Sequence, residues 1–403
     1  MREDPSIGHH VGPDRLLAID PLRGGAMVLV IVQHAYHFVD PAVATPLSDT
    51  LVYGVTRTAL VAFVALSGTM LAYFMASARE GAARRSPAAV AARYRRRALF
   101  ILCLAHPAIQ VARMANLDDP GLGVWGQLVQ RLLFDFPITD TIALCLLVAP
   151  PILSRLRSAW VSAVAAGLLL ATLGALIAWH PESAVGRALE AGLFGTTTPD
   201  PVVSVGWPFV PWLGVFLLGA WPGELLAAVR TGRTDVPTVV GRLLRAAAWL
   251  GALGVALSAG YKVLRRTQSG VLDDAVFRVL YPDCTTGLLP LYLAGLAVLL
   301  AGLLWSVDVK RRYDRALWAL SVFGRTSLFT YVVQFVFVHS IPAALGLRHR
   351  LDAAGVAALA VVAIGVTGVF AWAYGRFRGW IAPDDYAALR ASQGRSPLTR
   401  EPS

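Results

Sequence analysis

The first apolar run of the chain carries ionisable side chains at its mouth and in its far half: Arg15-Leu-Leu-Ala-Ile-Asp20-Pro-Leu-Arg23-Gly24-Gly-Ala-Met-Val-Leu-Val-Ile-Val-Gln-His34. An imidazole takes up and returns a proton near neutral pH, which is the work of a general base. A guanidinium grips carboxylate or phosphate through its planar fork. Arg23 and His34 are eleven residues apart. In a helix that is about three turns, so they share one face at a separation of roughly 16 Å. An ionisable group inside lipid is costly and by default marks a functional site, though a histidine can also serve as a hydrogen bond between helices.

Other residues extend this constellation. Counted from the opposite end of the next apolar run, Arg57 falls at the depth of His34, where it is a candidate for positioning an acyl group or an oxyanion; its alternative is to snorkel to the interface. Arg93, Arg95, Arg96 and Arg97 enter the third run together. With Asp20 and Arg23 they form a candidate phosphate-binding mouth; the plainer readings are an interfacial ion pair of Asp20 and Arg23 at a helix start, and a basic cluster that follows from topology alone. His37, Asp140 and Gln334 are candidate substrate contacts, against the plainer readings of helix-start chemistry for Asp140 and an interhelical hydrogen bond for Gln334. Ser67, His106, Arg113, Arg325 and Tyr331 are further polar groups in or beside apolar runs.

Three matches are set aside. Gly121-x-Gly123-x-x-Gly126 fits the dinucleotide pattern but lacks a strand–helix unit around it. His9 and Asp14 have the spacing of a soluble acyltransferase motif but stand in a polar tail. His34, His37 and Asp40 have no evident second shell, so no metal is expected.

These groups need helices to hold them. The chain is 403 residues, 56% hydrophobic and only 15% charged, against about 25% charged in a soluble domain. Its apolar residues form runs long enough to span a hydrocarbon core. The expected fold is all-α: a polytopic bundle of ten spans, near 21–39, 50–77, 97–115, 138–153, 159–179, 208–229, 243–263, 286–307, 321–344 and 354–375. The fourth is expected to end at Pro150-Pro151, and a kink is expected near Pro208 and Pro211. A single membrane domain is expected over 15–383, with disordered tails expected at 1–14 and 384–403.

The net charge of +11 does not point to nucleic acid, because the basic residues stand between the apolar runs. Alternate loops hold sixteen basic residues against nine, beginning with none in 40–49 against seven in 79–97. That asymmetry places both termini in the cytoplasm. Ala42-Val43-Ala44 resembles a signal-peptidase site, but the segment before it is too polar for a signal peptide. Cys103, Cys145 and Cys284 show no paired spacing, so no disulfide framework is expected. No internal repeat of an inverted-repeat transporter is evident.

Ile19-Asp20-Pro-Leu-Arg23-Gly24 followed by His34 resembles the first-helix signature of the transmembrane acyltransferases. These include the type 3 acyltransferases and the bacterial proteins similar to the heparan-α-glucosaminide N-acetyltransferase catalytic domain. Phe63-Val-Ala-Leu-Ser67-Gly68 and Arg95-Arg96-Arg97 resemble their next two motifs. Pro208-Phe-Val-Pro211-Trp212-Leu-Gly-Val-Phe-Leu-Leu-Gly219 and Phe323-Gly324-Arg325-Thr-Ser327-Leu-Phe-Thr-Tyr331 resemble two later ones. The resemblance implies a multi-pass protein of a bacterial plasma membrane. It implies a donor, acyl-CoA and most simply acetyl-CoA, entering from the cytosol near Arg23. A hydroxyl or amine of a glycan, glycolipid or small molecule would be acylated near His34. The chain departs from the pattern where Gln334 stands at a position often held by histidine, and it lacks the segment in which the lysosomal-type enzymes carry theirs. A transporter or flippase, whose ion path would use the same buried charges, is the first rival reading, and a non-catalytic membrane scaffold is the second.

Overall fold

The computed structural model describes residues 17–82, 85–113, 123–156, 158–179, 181–195, 207–267 and 288–381. Both tails and Cys284 lie outside these residues. The fold is all-helical: among the described residues the only β pairing is one isolated bridge, between Val39 and Leu351.

The chain starts with α1 (Ile19–Tyr36), followed by α2 (Pro46–Thr56) and α3 (Thr58–Arg79), which meet at Arg57. α4 (Pro87–Phe100) passes through a π-helical stretch at Ile101–Ala105 into α5 (His106–Ala112). Then come α6 (Val124–Phe134), α7 (Ile138–Arg155), α8 (Ser158–Ala178) and α9 (Ala184–Leu193). α10 (Phe209–Leu218) and α11 (Ala220–Arg230) form a near-continuous pair that precedes the long α12 (Val236–Thr267). α13 (Leu288–Leu303) ends in a π stretch at Leu304–Val309 and leads to α14 (Arg315–Arg325). α15 (Ser327–Phe335) continues through a third π stretch, Val336–Ser340, into α16 (Ile341–Ala344), and α17 (Ala353–Phe377) is last. Local chemistry sets several of the starts: the side chains of Thr45, Ser86, Ser183, Asp314 and Asp352 each accept a hydrogen bond from a first-turn amide.

Seven helices among the described residues are long and apolar enough to cross a membrane: Leu47–Arg79, Trp125–Arg155, Phe209–Arg230, Val236–Gly260, Leu288–Val309, Ser327–Ala344 and Ala353–Phe377. They coincide with seven of the ten expected spans. The other three are also helical but miss the measure for identifiable reasons. α1 carries Asp20, Arg23, Gln33 and His34 within its 18 residues. The 87–112 helix opens with four arginines, and the apolar part of α8, Ala159–Ala175, is short.

Some expected boundaries shift. α7 runs through Pro150 and Pro151 to Arg155 instead of ending there. The loop expected at 113–137 contains α6, and the one expected at 180–207 contains α9. Both are short helices whose apolar residues recur on one side, a pattern too brief to read as a span.

α1 lies at the centre, in contact with α2, α3, α13, α14, α15 and α17. Its approach to α14 is reciprocal. Gly24 lies on the Leu320 carbonyl and Gly324 lies on the Asp20 carbonyl, each so close that a Cβ would overlap that oxygen. α3 meets α10 and α11 in the same way, with Gly68 on the Phe216 carbonyl, Gly219 on the Ala65 carbonyl and Gly223 on the Thr69 carbonyl. Thr69 Oγ1 adds a hydrogen bond to the Gly219 carbonyl at 2.9 Å. In a bilayer no hydrophobic force draws helices together, so such close backbone packing is what associates them.

Candidate functional site

The two ends of α1 carry two groups of polar side chains. At the N-terminal end, Arg23 Nη2 donates to Ser327 Oγ at 2.6 Å, and Asp20 Oδ2 lies 3.5 Å from Arg325 Nε. The Gly24 and Gly324 contacts create this arrangement by bringing the first-helix motif against the 323–331 motif. Arg97 and Tyr94 of α4 lie within electrostatic reach of the Arg23 guanidinium, and Arg93 lies within reach of Tyr94. The side chains of Arg93, Arg95, Arg96 and Arg97 are exposed, while Tyr94 is buried. Part of the expected phosphate-binding group, Arg23 with Arg97, is therefore assembled at one mouth.

At the other end, three imidazoles face one another. The His34 ring centroid is 5.9 Å from His37 and 4.7 Å from His339, and His37 and His339 are 6.0 Å apart. Phe335 closes one side, 4.9 Å from His34 and 5.2 Å from His339. His34 Nδ1 lies 3.1 Å from Gln334 Oε1. An amide oxygen only accepts, so Nδ1 donates, and in the neutral imidazole the lone pair is then on Nε2. Gln334 Nε2 is buried and makes no hydrogen bond. Gln334 is thus the interhelical hydrogen bond the sequence suggested, and its partner is the candidate base itself. No group of three or more His, Cys, Asp or Glu among the described residues has the geometry to hold a metal ion.

The remaining candidates fall around this cluster. The Arg57 guanidinium lies over the Tyr53 ring at 4.9 Å, and Tyr53 is 6.2 Å from His37. Arg57 therefore approaches the cluster from the side of His37. Asp140 is turned elsewhere: its Oδ2 is 2.6 Å from His106 Nδ1, in a buried pair. His106 Nε2 lies 3.1 Å from the Leu132 carbonyl, which only accepts, so that nitrogen donates. Beside this pair, Arg113 donates to Asp135 at 2.7 Å and lies 5.7 Å from the Phe335 ring.

His339 was not among the candidates drawn from the sequence. It stands five residues after Gln334, a separation that α-helical geometry places about 140° around the axis. The π stretch at Val336–Ser340 widens the turn and swings His339 back toward Gln334 and His34. π turns of this kind recur at functional sites. Its place in an apolar run was the available signal.

The arrangement is that of a polytopic membrane protein with a charged mouth and a cluster of three imidazoles at opposite ends of one central helix, His339 buried, His34 half-buried and His37 exposed. The chain belongs to the family of the heparan-alpha-glucosaminide N-acetyltransferase catalytic domain, whose sequence model matches residues 15–257. The match covers more than half of the chain and includes the first-helix, second-helix, arginine and Pro208–Gly219 motifs; the 323–331 motif lies beyond it. No curated protein matches the chain. Membership makes this a membrane protein of acetyltransferase type.

Proposed function

We propose that this protein transfers an acetyl group from acetyl-CoA to a hydroxyl or amine of a glycan, glycolipid or small-molecule acceptor. The observation that carries the reading is the contact of His34 Nδ1 with Gln334 Oε1 at 3.1 Å, which in the neutral imidazole leaves the lone pair on Nε2, in a ring that stands among His37, His339 and Phe335. In this scheme His34 Nε2 takes the proton of the acceptor nucleophile as it attacks the thioester carbonyl. The unpaired Gln334 Nε2 is a donor for the oxyanion that develops there. Collapse of the intermediate breaks the C–S bond, and the CoA sulfur leaves and takes up a proton. His37 and Arg57 border the acceptor side. Asp140 acts in this scheme through the packing of α5 against α7 and not as a substrate contact.

Arg23, Arg93, Arg96 and Arg97, with Asp20, form the donor mouth. Arg23 and Arg97 contact the CoA phosphates, and Asp20 holds Arg325 beside them. The Arg asymmetry across the loops supports a cytoplasmic mouth with both termini on that side, in a single integral domain spanning 15–383.

Replacing Arg23 with Gln removes a charged hydrogen-bond donor. The expected result is a rise in the KM for acetyl-CoA of roughly ten- to a hundredfold, the size of one lost charge-assisted hydrogen bond. The rise should be larger at low ionic strength, where charge is less screened. Steady-state kinetics of the purified protein in detergent with acetyl-CoA varied would measure it, and an unchanged KM would remove Arg23 from the donor site.

A further inference from the structure

α1 lacks a capping side chain of its own. Its N-cap residue is Ala18, which makes no side-chain hydrogen bond, unlike the helices that start at Thr45, Ser86, Ser183, Asp314 and Asp352. The backbone just before α1 is held from the far end of the sequence. The amide of Leu17, the residue just before that N-cap, donates to Asp308 Oδ1 at 3.1 Å. Asp308 belongs to the π stretch Leu304–Val309, and its second oxygen is buried without a hydrogen-bond partner. The contact is reinforced by packing, because Leu17 forms a small apolar cluster with Val307 and Tyr313. Tyr313 is in turn tied to α14 by its hydroxyl, which donates to Ser321 Oγ at 2.6 Å.

We infer that Asp308 is a positioning residue for the donor site: it ties down the backbone that leads into α1 and so holds Asp20 and Arg23 in place for acetyl-CoA. The inference rests on the donor role proposed above for Arg23. Residues 304–327 form one wall around the start of α1. Asp308 holds the backbone, Arg325 pairs with Asp20, and Ser327 accepts from Arg23. This wall lies beyond the residues 15–257 that define the family match. The carboxylate also sits at the positive end of the α1 dipole, where a negative charge is stabilising.

Without this tie the start of α1 frays, and Arg23 is in its binding position for only a fraction of the time. The apparent donor affinity falls by that fraction, whereas the chemistry at His34, three turns away, proceeds as before once acetyl-CoA is bound. Asp308→Ala should therefore raise the KM for acetyl-CoA by roughly three- to tenfold, the scale of one lost hydrogen bond, with kcat retained. Asp308→Asn keeps an acceptor oxygen at the same place and should restore most of the affinity. If Asp308→Ala does not accumulate in the membrane, Asp308→Ser carries the same expectation, because its hydroxyl is too short to reach the Leu17 amide. The experiment is steady-state kinetics on these variants of the full chain beside Arg23→Gln, with acetyl-CoA varied. A raised KM for Arg23→Gln with an unchanged KM for the Asp308 variants would overturn the positioning role. An unchanged KM in both would overturn the donor reading on which it rests. A fall in kcat with no change in KM would also contradict the inference, since a tie at the donor mouth has no route to the chemical step alone.

Discussion

His34→Ala should lower the rate of acetyl transfer by about 100- to 10,000-fold, the usual consequence of removing a general base. The protein should still insert and bind acetyl-CoA, because the donor mouth lies at the opposite end of α1. Three observations set this expectation. Gln334 fixes the tautomer that leaves Nε2 free to take a proton. His339 and Phe335 enclose the ring at centroid distances of 4.7 and 4.9 Å. Gln334 Nε2, on the amide that holds the ring, is buried and makes no hydrogen bond, so a donor stands beside the base. His37→Ala should cost much less, since His37 lies at the end of the helix toward Tyr53 and has no such partner fixing its proton. Rates of CoA release by the purified variants decide between them. Activity near wild type in His34→Ala, with His37→Ala inactive, would move the base to the outer histidine.

Gly324→Ala should prevent accumulation of stable protein, or lower its stability by more than about 3 kcal/mol, the upper part of the range for overpacking a core. The added Cβ would overlap the Asp20 carbonyl, and a backbone atom cannot swing away as a side chain does. The only relief is to part α1 from α14, which also breaks the Arg23–Ser327 and Asp20–Arg325 contacts. Gly24→Ala meets the Leu320 carbonyl and should behave alike. Gly25 provides the control: it is the next residue in the same helix, and nothing lies within 4 Å of its Cβ position. Gly25→Ala should be neutral or stabilising by a few tenths to about 1 kcal/mol, since alanine favours helix over glycine. Thermal melting of the three variants in one detergent, with yield from the membrane fraction, would measure this. Equal melting temperatures for Gly24→Ala and Gly25→Ala would mean that α1 and α14 are not in backbone contact.

These two sites also show what was and was not legible in the sequence. Apolar runs announced the helices, because spanning length and the absence of charge are properties of contiguous residues. The seven spanning helices follow them closely. The α1 motif was legible as a set of residues, but not its partner. Nothing local in Asp20-Pro-Leu-Arg23-Gly24 says that Gly24 meets Leu320 or that Arg23 meets Ser327, about 300 residues away. The glycines were visible as motif letters and gain a physical meaning only once two backbones are seen to touch. Asp140 was read from its place at a helix start, whereas its side chain is taken by His106 of another helix. His339 escaped because α-helical periodicity turns it away from Gln334, and the π stretch that reverses this has no sequence signature of its own. Asp308 escaped for a related reason: the hold on the backbone before α1 is supplied 291 residues away, while capping rules look only at neighbours.

The central claim is that this chain breaks a thioester and passes the acetyl group on, and does not move a substrate unchanged. The direct measurement uses the full chain reconstituted in phospholipid vesicles. It is given acetyl-labelled acetyl-CoA together with a glycan and lipid extract of the producing cells, and both free CoA and label in the extract are followed. The account predicts that CoA is released as label enters the acceptor fraction, mole for mole, and that both stop in His34→Ala vesicles. Transport of an unmodified compound with no CoA release, or CoA release that is the same in wild type and His34→Ala, would contradict it.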